Sequence, residues 1–165
     1  MTLGSLWQLL DSKTKQWMLG GTVSVLAGTG LGVVTLPGFV ESGSSDPLLL
    51  LPSLALCLGG GYAVLFPAIS ASRNGLRVFR DWRRHPRAGR ILWVLSLAIA
   101  AGGLATCVVA GTMNPLAPGL LVWLFMGLYL ASAGWASAVM GLSTEATGET
   151  SNGAPAEAQA TVPSR

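Results

Sequence analysis

The residues of this chain that could ligate a metal, activate a nucleophile or carry a proton are few and far apart. His85 is the single histidine, and it stands beside Pro86 in an arginine-rich stretch; Cys57 and Cys107 belong to no CxxC pair. A metal or haem site needs clustered His, Cys or carboxylate ligands, so neither a metal nor a cofactor is expected. The two cysteines read as small apolar side chains rather than a redox pair. Ser24, Ser53, Ser96 and Ser132 lie in long apolar runs that hold no His or Lys, and a serine without a base is a weak nucleophile. Coupled transport relies on an ionisable group inside the membrane, and those runs contain none. The chain is therefore expected not to be an enzyme.

The dense charge lies elsewhere. Arg73, Arg77, Arg80, Arg83, Arg84, Arg87 and Arg90 fall in one stretch, opposed there by Asp81 alone. Arg73, Arg77, Arg80 and Arg84 recur at helical spacing while Leu76, Phe79 and Trp82 follow another line, which predicts a helix lying at the headgroups and ended by Pro86. No aromatic stacking platform or nucleic-acid motif accompanies the arginines, so no nucleic-acid partner is expected. Each juxtamembrane Arg gains about 1 kcal/mol near anionic lipid headgroups. The stretch is read as a contact to such headgroups or to the acidic face of a partner protein.

The elements that carry these residues follow from composition. Of the 165 residues 51% are hydrophobic and only 10% charged, and the mean hydropathy is +0.57. Soluble domains carry roughly a quarter of charged residues. Runs at about 17–40, 47–70, 91–113 and 116–140 contain no Asp, Glu, Lys, Arg or His, and a helix needs about 20 apolar residues to cross roughly 30 Å of hydrocarbon. Without the alternation of a membrane barrel, the runs predict an all-α integral membrane protein. Its four transmembrane helices form two helical hairpins joined by the Arg-rich loop. The first run, at about 24 residues, exceeds the roughly 7 to 15 of a leader's apolar core and is read as a span.

Orientation follows from charge: the segment at 71–90 is strongly basic, whereas 41–46 and the Asn114-Pro115 turn hold no Lys or Arg. The positive-inside rule puts the Arg-rich loop in the cytoplasm, and four spans then put both termini there. Residues 1–16 are read as a cytoplasmic amphipathic segment, with Leu3, Leu6, Trp7 and Leu10 on one helical face. Residues 17–140 form the four-helix domain. Residues 141–165, rich in Ser, Thr, Ala, Glu, Gly and Pro, are read as a disordered cytoplasmic tail. Eight Arg against two Lys points to a GC-rich genome and so to a bacterial plasma membrane.

In lipid, helices associate through close contact between small residues. Gly20, Ser24, Gly28 and Gly32 recur in the first span, Ser53, Cys57 and Gly61 in the second, and Ala98, Gly102, Thr106 and Ala110 in the third. The fourth offers Gly127, Ala131, Gly134, Ala138 and Gly141. Trp17 and Trp93 stand at cytoplasmic span ends, where belt residues anchor. The leading expectation is a non-catalytic accessory, assembly or scaffold subunit. Its partners would be the bilayer, anionic headgroups, and other membrane proteins or further copies of itself. The alternative is a small channel or holin-like pore lined by Ser24, Thr29, Thr35, Ser96, Thr106 and Ser132. A transporter of a neutral solute is a third reading, with Pro52 and Gly59-Gly60-Gly61 opening a cavity.

Overall fold

The computed structural model describes residues 3–42, 47–71, 83, 86–113 and 117–152. Five α-helices follow one another: α1 (Leu3–Leu9), α2 (Ser12–Ser42), α3 (Pro47–Ala71), α4 (Arg87–Met113) and α5 (Ala117–Asn152). No strand occurs among the described residues. Helices α2 to α5 are each long and apolar enough to cross a membrane, with candidate spans at Ser12–Thr35, Leu50–Ser70, Arg87–Val109 and Leu121–Ser143.

Local chemistry sets the helix starts. The Asp11 carboxylate accepts the Lys13 backbone N–H at 3.3 Å and caps α2, as short acidic side chains do at an N-terminus. Helix α2 thus begins ahead of its apolar run, carrying Lys13 and Lys15 in its first turns. Pro47 opens α3, where its missing N–H costs nothing. Pro86 precedes α4 and its carbonyl accepts the Arg90 N–H at 3.2 Å. Helix α5 continues past Met140 to Asn152, beyond the boundary expected from composition. The continuation packs: Leu142 is buried in the core with Ala138 and Val139. Residues 153–165 lie outside the described residues, as does the expected headgroup helix through Arg73, Arg77, Arg80 and Arg84.

Helix α5 is the hub. It packs against α2, α3 and α4, whereas α4 packs extensively on α5 alone. Approaches at Gly21 to Gly60 and Gly28 to Cys57 run α2 antiparallel to α3, and those at Gly127 to Cys57 and Gly134 to Val64 run α3 parallel to α5. Helix α4 is antiparallel to α5, with Gly103 on Phe125 and Gly89 on Met140. One end of the bundle therefore gathers the starts of α2 and α4 and the ends of α3 and α5.

Large apolar side chains face outward, among them Val34, Leu104, Ile91 and Leu51, each about two-thirds exposed or more. Ser53, Ser96 and Ser137 are buried. A soluble protein keeps most of its large apolar side chains inside, and patches this extensive mark a membrane or protein contact.

Candidate functional site

The helix interfaces are built where backbones touch. A Cβ on Gly60 would stand 2.6 Å from the Gly21 carbonyl oxygen, and one on Gly127 would stand 2.6 Å from that of Cys57. Gly28, Gly32, Gly61 and Gly134 are equally tight against α3 or α5 neighbours, and Gly60 would press on Ser24 Cβ. Gly20 and Gly102 instead face open space, while their neighbours Gly21 and Gly103 make the contacts. The reason is angular. Residues spaced strictly by four advance about 40° per step around a helix of 3.6 residues per turn, so a stripe from Gly20 drifts onto the interface only by Gly28. The interface row in α2 is Gly21, Val25, Gly28 and Gly32, all buried. Its steps of four and three stay on one face, as do those of Gly127, Ala131, Gly134, Ala138 and Gly141 in α5, also all buried.

The hydroxyls proposed from sequence as a pore lining are engaged with carbonyls. Ser24 Oγ donates to Leu56 O across the α2–α3 contact at 3.0 Å. Thr29, Thr35, Ser96, Thr106 and Ser132 donate to carbonyls three or four residues earlier in their own helices, at 2.6–3.2 Å. Ser53 Oγ adds a buried bond to Gly28 O at 2.8 Å. Cys57 is buried 3.8 Å from Thr29 Oγ1, and Cys107 lines a recess between α4 and α5. Among the described residues no group of three or more His, Cys, Asp or Glu could hold a metal. His85 lies outside them.

Of the seven arginines, Arg73, Arg77, Arg80 and Arg84 lie outside the described residues. Arg83 and Arg87 are exposed and Arg90 is half-buried in the first turn of α4. The helix directions bring the start of α4 to the same end as Lys13 and Lys15. Helix α1 folds onto this end: Trp7 stacks on Trp135 of α5 with centroids 5.3 Å apart. Trp135 Nε1 donates to Thr22 Oγ1 at 3.0 Å while that hydroxyl donates to Met18 O at 2.7 Å. Lys15 Nζ stands 6.0 Å from the centre of the Trp7 ring and 3.4 Å from Gln8 O. Nothing in the sequence pairs Trp7 with Trp135, since only the bundle brings them together.

A groove opens from this basic end along the outside of α2 and α3. Its mouth holds Lys13, Thr14 and Ser70, its walls Trp17, Tyr62 and Phe66, and it encloses about 550 Å³. It continues inward past Gly20 and Gly60 to Ser24 as a second recess of about 350 Å³ that shares Trp17, Gly59 and Ala63. Tyr62 and Phe66 stack at 5.6 Å and are each 60% exposed. The triplet at 59–61 explains the opening. Successive helical residues point about 100° apart, so Gly60 meets α2, Gly61 meets α5 and Gly59 is left facing outward with nothing within 4 Å. No protein-family model, curated protein or solved structure matches the chain.

Proposed function

We propose that the chain is a four-span protein of a bacterial plasma membrane, with both termini and the Arg-rich segment in the cytoplasm, serving as a non-catalytic accessory or scaffold subunit. The observation that carries this reading is the use made of the interior. Glycines bring α3 to backbone contact with both α2 and α5, and the six hydroxyls that could line a pore each donate their hydrogen to a backbone carbonyl. A chain whose inside is consumed by its own packing acts through its outside. Helix α4 is the barest element: 11% of its span is buried against 44% for α5. Its outer face shows Ile91, Val94, Leu104 and Val108, and Arg87 and Arg90 stand in its first turn.

The orientation rests on charge. The helix directions gather Lys13, Lys15, Arg87 and Arg90 at one end, and Lys and Arg near span ends are retained on the cytoplasmic side. The test is to purify the tagged protein from its native membrane in mild detergent, identify stoichiometric companions, and assay the purified chain for solute flux in liposomes. A companion that is lost with Arg73→Ala, Arg77→Ala and Arg80→Ala, with no flux, is the expected result. Flux from the chain alone, with no companion, would replace this reading with the pore.

A further inference from the structure

The α2–α3 groove is graded along its length. Lys13 and the hydroxyls of Thr14 and Ser70 stand at its mouth, Trp17 and Phe66 come about one turn further in, and Gly20, Ala63, Tyr62, Gly60 and Gly59 line the inner part. Charged, aromatic and apolar groups follow one another in this order between the surface and the middle of a bilayer. The length is equally specific. From Lys13 to Ser24 on α2, and from Ser70 to Gly59 on α3, the rise is about 16 Å at 1.5 Å per residue. That is close to half of the roughly 30 Å of hydrocarbon in a bilayer, the depth of a single leaflet. A partner helix would need a track running the full thickness, whereas one lipid needs this length.

Charge sets which lipid. Lys13 is exposed, and among the described residues its ammonium pairs with no carboxylate: Asp11 accepts the Lys13 backbone N–H instead. Lys15, Arg87 and Arg90 add positive charge at the same end. The larger recess, at about 550 Å³, falls within the roughly 300–1,000 Å³ of ligand clefts. We propose that this groove binds one anionic phospholipid of the surrounding leaflet, its acyl chain over the Gly20 and Gly59 floor and its phosphate at Lys13. The proposal rests on the membrane reading above and adds to it a ligand and a site.

The test uses the full chain in phosphatidylcholine vesicles containing increasing fractions of phosphatidylglycerol or phosphatidylcholine with brominated acyl chains. Bromine quenches tryptophan on contact, and the difference between the native chain and Trp17→Phe isolates the Trp17 signal. Quenching of Trp17 is expected at about fivefold lower mole fraction of the brominated anionic lipid, the ratio equivalent to about 1 kcal/mol for one juxtamembrane lysine. Lys13→Gln should remove that preference. Gly59→Leu, at a position where a Cβ meets nothing within 4 Å, should fill the floor and protect Trp17 from both lipids without lowering the melting temperature. Equal quenching of Trp17 by the two lipids in the native chain, with other tryptophans quenched as well, would overturn the site and leave the membrane reading standing. Absence of quenching of any tryptophan by either lipid would overturn both.

Discussion

Replacing Gly60 by alanine should loosen the bundle, and the same change one residue earlier should not. A Cβ on Gly60 would stand 2.6 Å from Gly21 O, 2.8 Å from Val25 N and 2.9 Å from Ser24 Cβ, two of these being backbone atoms that no rotamer change can move. Restoring an ordinary carbon–oxygen separation requires α2 and α3 to part by about 0.8 Å, and a gap of roughly 0.5–1 Å forfeits a quarter to a half of each dispersion contact it opens. Overpacking of this kind costs about 1–3 kcal/mol. Alanine is the better helix former by about 0.8–1 kcal/mol, but that gain is common to Gly59→Ala and Gly60→Ala and cancels between them. At about 2–4 °C per kcal/mol for a chain of this size, Gly60→Ala should melt about 2–12 °C below Gly59→Ala. Thermal unfolding in mild detergent, followed by circular dichroism, measures the difference. Maleimide labelling of Cys57 in a Cys107→Ser background should accelerate in parallel, because Cys57 lies in the same α2–α3 contact, beside Gly28. Equal melting temperatures for the two variants, within about 1 °C, would refute the backbone-contact account.

The end of the bundle near Trp7 yields two more predictions. Trp135→Phe keeps a ring against Trp7 but removes the Nε1 donor to Thr22, and should cost about 0.6 kcal/mol, the average for a hydrogen bond between membrane helices, and no more than about 1.7. A double-mutant cycle with Thr22→Val should show that energy as coupling, and strictly additive effects would dismiss the bond. Trp7→Ala removes the stack that holds α1 on α5, so amide exchange in α1 should rise while that of α3 and α5 stays slow. Unchanged exchange in α1 would mean that the stack does not hold the helix.

The all-α class and the four long apolar helices were legible because a charge-free run of about 20 residues has few readings. Helix ends were less so, since hydropathy reports the apolar stretch while hydrogen bonding sets the helix. Asp11 starts α2 ahead of Lys13, and buried Leu142 lies on a helix that continues into polar sequence as far as Asn152. The small-residue faces were legible in α5, where the repeat mixes fours and threes, and drifted by a residue in α2, where a strict four selects Gly20 over Gly21. In α4 the row of Ala98, Gly102 and Thr106 misses the interface. The buried positions are Gly89, Ser96 and Gly103, each seven apart, and only one of every two turns contributes, too sparse a pattern to stand out among so many small residues. The groove was half legible: the glycine triplet signalled an opening, but its walls come from two helices whose pairing no local pattern specifies.

Glycine is distributed unevenly over the contacts, and this unevenness bears on function. Without a hydrophobic drive between helices in lipid, attachment strength follows how closely backbones approach. Helix α3 meets α2 at Gly21, Gly28 and Gly60 and meets α5 at Gly61, Gly127 and Gly134, backbone against backbone, whereas α4 meets α5 through Gly89 on a methionine side chain and Gly103 on a phenylalanine side chain. Three helices therefore form a backbone-to-backbone core, and α4 leans on it through side chains that can repack. If a partner binds, the least stabilised and most exposed element is the one able to adjust to it, and its basic start lies beside the arginine segment. The lipid groove lies between α2 and α3, away from α4, so the accessory-subunit reading assigns lipid and protein to different faces. Variants of Lys13 or Gly59 should then change lipid retention while leaving companion proteins in place, and variants on the outer face of α4 should do the converse.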